Sequence, residues 1–304
     1  MGQFEITFLG TTAGVPTKHR NHASLYVKYQ AEREFVCLLD CGEGTQKQIF
    51  SAGLNFMRVS DIFISHWHAD HFAGLLGLIE TMNLEKRQEE LRIYGPEAKK
   101  FVPILLSLGY STKDFSIKAI NVEHEGTELQ TLLDNEEYCV QAIPMKHGVP
   151  AVAYAILEKD KIKINKEKAK ELGLPETGPI YKKLKDNGMI VFNDKEILLE
   201  DVSLIQLGKK IVYSGDTLPN KNIIKISKDA DLLIHDSTFF SEDKEEKWRH
   251  TTHTEVFDIA EKASVKKLIL THISRRYQDV KELEDKIKHI KNAVLAKDFM
   301  RVVV

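Results

Sequence analysis

His66-Trp67-His68-Ala69-Asp70-His71 follows the apolar run Ile62-Phe63-Ile64. A β-branched and aromatic run of this kind reads as a buried strand, so four potential metal ligands leave the core together at one strand end. Imidazole nitrogen and carboxylate oxygen suit zinc and similar borderline ions, and a tight turn can aim alternate side chains at two neighbouring ions. Two ions need more donors than one loop holds, and the chain offers them at three further strand ends. His147 follows Ala142-Ile143-Pro144, Asp216 sits in Ser214-Gly215-Asp216-Thr217 after Ile211-Val212-Tyr213, and His272 follows Leu268-Ile269-Leu270-Thr271. Taken singly, each of these reads more readily as a capping or hydrogen-bonded polar residue; together with the first cluster they make a nitrogen and oxygen set for a dinuclear site. Asp40 ends another strand. Two readings stay open for it, a hydrogen bond that orients a ligand histidine or an N-cap for the helix that follows.

The segments around these residues set the fold class. Strand patterns fall at 4–9, 24–29, 35–40, 61–64, 91–94, 116–120, 138–144 and 151–157, with helical patterns at about 44–51, 72–82 and 96–107. After residue 209, strands at 210–214, 231–236 and 267–271 alternate with helices at about 220–227, 254–263 and 280–290, the βα pattern of a sheet covered by helices. A strand-rich half and a βα half, each ending strands in metal-type residues, predict one α/β domain over 1–304, a four-layer αββα sandwich with the site along one edge. The stretch from about Lys159 to Asn187 differs. It has Gly173-Leu174-Pro175 and Gly178-Pro179, and residues 158–186 contain nine lysines against six acids. It reads as an insertion, either a mobile arm that meets an anionic partner or a solvated helical hairpin.

Composition narrows the classes further. No apolar run approaches the roughly 20 residues of a membrane span, and the N-terminus lacks a basic region followed by an apolar one, so a cytoplasmic address is expected. Cys37, Cys41 and Cys139 are an odd number without ligand spacing and are expected as free thiols. A formal net charge of −2 gives no global basic signature, so any nucleic-acid binding rests on local patches and bound cations.

The histidine-aspartate cluster, His147, the Gly215-Asp216 turn and His272 resemble the metallo-β-lactamase superfamily. Phe8-Leu9-Gly10-Thr11, Asp40-Cys41-Gly42-Glu43-Gly44-Thr45-Gln46, Ile93-Tyr94-Gly95-Pro96 and Thr271-His272-Ile273-Ser274-Arg275-Arg276-Tyr277 narrow the resemblance to the tRNase Z family, over nearly the whole chain. The resemblance implies that His66, His68 and His147 hold one zinc ion, that Asp70, His71 and His272 hold a second, and that Asp216 bridges them; manganese or another divalent ion is an open alternative to zinc. It implies an endoribonuclease that cuts pre-tRNA near its 3′ end, leaving a tRNA 3′-hydroxyl and a 5′-phosphorylated trailer. It also implies a homodimer, and an arm at 159–187 that grips tRNA. Two divalent ions supply a nucleophile near neutral pH and neutralise phosphoryl charge, with Asp70 placed to orient or deprotonate the attacking water. The leaving oxygen still needs a proton. His250, in Arg249-His250-Thr251-Thr252, lies twenty-two residues before His272 and resembles the family's histidine-Ser/Thr-Ser/Thr element. Asp236 falls where the family often has glutamate, a shorter side chain with which to orient His250. His253 reads as a helix cap. Two other readings stay open: a small-substrate phosphodiesterase or arylsulfatase-like hydrolase of the same fold, and an RNA-binding subunit that has lost its chemistry.

Overall fold

The computed structural model of the chain describes residues 2–110, 113–240, 249–277 and 279–304. Within them the chain forms two compact units, one built from 1–157 with 210–304 and the other from 158–209.

The larger unit holds two seven-stranded sheets. The first runs Arg301–Val303, Gln3–Gly10, Ser24–Gln30, Glu34–Leu39, Asp61–Phe63, Leu91–Gly95 and Ile117–Asn121 from edge to edge; the second runs Ala293–Leu295, Leu268–Thr271, Leu232–Asp236, Lys210–Tyr213, Val152–Glu158, Tyr138–Pro144 and Gln130–Asp134. Alternation along each strand sorts side chains between two faces. Phe4, Val27, Phe63 and Tyr94 from the first sheet meet Val140, Tyr154, Ile211 and Ile234 from the second in one shared core. The outer face of the first sheet, with Ile62, Ile64 and Ile93, is covered by the helices Thr45–Ser51, Leu75–Leu84 and Ala98–Leu106. The outer face of the second, with Val212, Leu233 and Leu270, is covered by Lys221–Ser227, His253–Lys262 and Val280–Ile287. This is the expected αββα sandwich.

Both sheets have a parallel half. Glu34–Leu39, Asp61–Phe63 and Leu91–Gly95 run parallel in the first, and Lys210–Tyr213, Leu232–Asp236 and Leu268–Thr271 in the second. Parallel strands end on the same side, and in open α/β sheets that side is where ligands bind. Asp40, His66, Asp216, Asp236 and His272 all sit at or just past such ends. Contacts between the sheets hold the two sets together there: Tyr154 Oη donates to the Ile64 carbonyl at 2.7 Å, and Val152 N to the Ser65 carbonyl at 2.9 Å.

Three strands that the sequence pattern did not mark, Gln130–Asp134, Ala293–Leu295 and Arg301–Val303, are short edge additions of five residues or fewer. The smaller unit reaches past Asn187 to Lys209 and is not a helical hairpin. It combines the helices Lys166–Glu171 and Ile180–Asn187 with the antiparallel pairs Lys161–Ile164 with Ser203–Gln206 and Met189–Phe192 with Lys195–Leu198. Its own small core is Ala169, Leu174, Leu184, Ile197 and Val202. Lys161-Ile162-Lys163-Ile164 alternates at the strand period, but lysine masks the pattern in composition.

The loop after Glu34–Leu39 packs backbone on backbone against the turn that follows the histidine cluster. Cys41 N donates to the His71 carbonyl at 2.8 Å, and Gly74 N to the Cys41 carbonyl at 2.9 Å. A Cβ at Gly74 would lie 2.1 Å from the Gly42 carbonyl oxygen, so the two segments approach this closely only with glycine. Gly74→Ala is expected to cost about 1–3 kcal/mol of stability, read as a lower urea midpoint with an unchanged m-value; a midpoint equal to that of the native chain would show that the loops yield without cost.

Candidate metal centre

Asp40 begins the site. Its carboxylate is fully buried and accepts four hydrogen bonds. Oδ1 takes Ser65 N at 2.7 Å, while Oδ2 takes Ser65 Oγ at 2.9 Å, Tyr213 Oη at 2.7 Å and His71 Nδ1 at 2.7 Å. The N-cap reading is therefore set aside. The helix Thr45–Ser51 is preceded by Gly44 with no side-chain cap.

Most ligand-type histidines have one nitrogen engaged and the other turned inward. The Nδ1 of His66 donates to Ser65 Oγ at 3.0 Å, that of His71 to Asp40, that of His272 to Thr238 Oγ1 at 2.9 Å and that of His147 to the Arg249 carbonyl at 3.2 Å. In each case Nε2 is the nitrogen turned toward the other donors. His66 Nε2 and His147 Nε2 then lie 2.9 and 3.3 Å from His68 Nδ1, and His71 Nε2 lies 3.2 Å from His272 Nε2. Lone pairs held this close need a cation or protons between them. Two groups of donor atoms result, His66 with His68 and His147, and Asp70 with His71 and His272, the atoms of each within 4.8 Å of one another. Asp216 lies between them, with Oδ2 at 3.7 Å from His66 Nε2 and 3.3 Å from His71 Nε2, and Oδ1 at 3.4 Å from His272 Nε2. Oδ1 is buried without a hydrogen-bond donor, an arrangement that costs free energy unless a cation meets it. Converging imidazole nitrogens and an unsatisfied carboxylate oxygen are the donor set that borderline divalent ions take, so the residues present fit such ions.

Charge leads to the same reading. Burial first, and then the nearby histidines, push His66 well below the usual histidine range; burial lowers His68 and His147. These rings are neutral, the form that ligates. Burial opposes protonation of His272 too, but Asp216, Asp236 and Asp70 outweigh it and push its pKa up to about 10. The carboxylates of Asp70 and Asp216 are held well below their usual range, against burial, by His71 and His272, joined at Asp216 by His250. Without divalent ions, this cluster of buried acids keeps protons as its counter-charge.

His250 stands outside the two donor triplets. Its Nδ1 is 2.8 Å from Asp236 Oδ2, so the aspartate reaches despite its length. Burial lowers the His250 pKa, but Asp236 and then Asp216 reverse this and leave it raised. Asp236 Oδ1 accepts from Thr238 Oγ1 at 2.7 Å, and through Thr238 the same carboxylate also steadies His272. His253 is no helix cap: Thr252 Oγ1 accepts from Glu255 N at 3.3 Å, and the His253 ring stacks on Phe240, with centroids 4.9 Å apart. Sequence reasoning missed Ser65, Tyr213, Thr238, the Arg249 carbonyl and the Gly14 N–H, which donates to Asp70 Oδ2 at 2.9 Å. Ser65, Thr238 and Arg249 adjoin or nearly adjoin residues already singled out and were within reach; Tyr213 and Gly14 meet their partners only across distant stretches of chain.

A family model described as Anti-Pycsar protein Apyc1 matches residues 4–164, and one described as Beta-lactamase superfamily domain matches residues 202–273. The ribonuclease Z of Archaeoglobus fulgidus is 40% identical over 99% of this chain and 98% of its own length. The chain belongs to the ribonuclease Z family. A second ribonuclease Z, from Methanosarcina acetivorans, is 40% identical over 98% of this chain and 97% of its own. The crystal structure of the short form of human tRNase Z superposes with a TM-score of 0.69 at 25% identity, covering 98% of both chains. Within this ribonuclease Z fold, Asp40 fixes His71 from behind. Asp40→Ala is expected to weaken retention of divalent metal about 10–100-fold, measured by competition with a chromophoric chelator; unchanged affinity would show that His71 needs no such support.

Proposed function

We propose that this chain is a metal-dependent endoribonuclease that hydrolyses a phosphodiester near the 3′ end of pre-tRNA, leaving a 3′-hydroxyl on the tRNA and a 5′-phosphate on the trailer. The observation that carries the reading is the pair of donor triplets around Asp216, with a histidine-carboxylate pair, His250 and Asp236, beside them and outside them. Near full-length similarity to ribonuclease Z proteins supports the choice of substrate.

His66, His68 and His147 would hold one zinc ion and Asp70, His71 and His272 the other, with Asp216 shared; manganese suits the same donors. When bound, such ions supply a nucleophile near neutral pH and neutralise phosphoryl charge. The chain's own residues do the rest. Asp70, steadied by the Gly14 N–H, orients the attacking water and takes its proton. Asp236 accepts from His250 Nδ1 and so keeps the imidazolium in place, leaving Nε2 as the atom that gives its proton to the departing ribose oxygen. The unit at 158–209 is read as the tRNA-binding arm. Lys163, Lys166, Lys182 and Lys185 line a cleft of about 590 Å³ within it, against Glu176 and Asp186, and such a cleft favours a phosphate backbone. By family resemblance the protein is read as a homodimer that acts in the cytoplasm. No helix among the described residues is long and apolar enough to cross a membrane.

Incubating end-labelled pre-tRNA with the metal-loaded protein and mapping both new termini tests the reading directly; products with a 3′-phosphate, or no cut at all, would overturn it. His250→Ala is expected to lose about 10²–10⁴-fold in kcat on pre-tRNA while keeping its metal. On a nitrophenyl phosphodiester, whose leaving group needs little protonation, the loss should be far smaller. An equal loss on both substrates would assign His250 to phosphate binding instead.

A further inference from the structure

Arg249 carries a side chain that the reaction described above does not use. Its carbonyl orients His147, a task any residue's backbone could perform, yet Arg249 lines the same cavity of about 610 Å³ as His68, Asp216, His250 and His272. Nη1 donates to the His147 carbonyl at 3.2 Å, and the Arg249 carbonyl accepts from His147 Nδ1 at 3.2 Å. The arginine is thus braced at two points on the segment that brings His147 to the site. Its φ is +50°, a left-handed conformation that is strained for a residue with a Cβ. Arg275 and Arg276, from the segment after His272, line the same cavity, and the Arg276 guanidinium lies 5.1 Å over the Phe239 ring. None of the three has an ion-pair partner among the described residues.

A guanidinium braced by a backbone carbonyl and with no carboxylate partner among the described residues is a ready site for an anionic oxygen, and its fork geometry matches a phosphate. The Asp216-centred donors deal with the scissile phosphate alone. A strand of RNA brings a further phosphate on each side of it, whereas an isolated diester brings none. We infer that Arg249 is a substrate-binding residue that holds a phosphate next to the scissile one, so that the site is built for a phosphodiester within a polynucleotide. This rests on the endoribonuclease reading and adds to it a residue that distinguishes a strand from a small diester.

The test compares full-length, metal-loaded wild type, Arg249→Ala and Arg249→Lys on pre-tRNA over a series of salt concentrations, and on a nitrophenyl phosphodiester. For Arg249→Ala, KM on pre-tRNA should rise roughly tenfold, more than on the small diester, and the log–log salt slope should flatten by about 1. Arg249→Lys should recover the salt slope and part of the KM. Equal losses on both substrates together with loss of metal would make Arg249 only a brace for His147 and overturn the inference, as would an unchanged KM and salt slope on pre-tRNA. Failure of the underlying reading looks different: there the wild type itself hydrolyses the small diester and cuts no RNA, and both readings fall.

Discussion

The buried carboxylate of Asp40 ties the sandwich together where its chemistry lies. It leaves the first sheet, takes the backbone and hydroxyl of Ser65 on the neighbouring strand end, holds His71, and accepts from Tyr213 of the second sheet, 173 residues away in sequence. A buried charge is tolerated only where such donors surround it, and here all the donors that surround it belong to the site's own scaffold. The sheets could pack through their apolar faces alone, but apolar packing sets no angular relation between individual side chains. The fan of hydrogen bonds from one carboxylate does.

Some of the molecule's local backbone strain lies in the same place. Asp40, Arg249 and His272 are non-glycine residues with φ of +59°, +50° and +57°. Each turns the chain sharply as it leaves or enters the site, and conformations of this kind persist only where surrounding contacts hold them. For His272 those contacts are Thr238 and Asp236, so the strand-end turn and the orientation of the imidazole are settled by one network.

Much of this could be read from the sequence because strand ends are local features. The run of β-branched and aromatic residues before His66, and the same pattern before Asp216 and His272, placed polar side chains where parallel strands finish, and the structure brings those chain segments to one edge. What the sequence left unread was what crosses from one element to another. Nothing near Tyr213 says that its hydroxyl meets Asp40, and nothing in the Gly14 loop points to Asp70, because both contacts exist only once the sheets and loops are assembled. The short edge strands and the lysine-masked strand pairs of the smaller unit escaped for another reason: three to five residues are too few for a period to stand out against charge.

The smaller unit also has a topological meaning. It lies between Val152–Glu158 and Lys210–Tyr213, which are adjacent antiparallel strands with Leu157 opposite Lys210, and Glu158 N donates to the Lys209 carbonyl at 2.8 Å. In chain terms the whole unit stands in for a hairpin turn. A turn can lengthen or shorten without shifting the register of the strands it joins. Over evolutionary time, then, this segment is free to change size, charge and folding pattern while the two strands it joins keep their register.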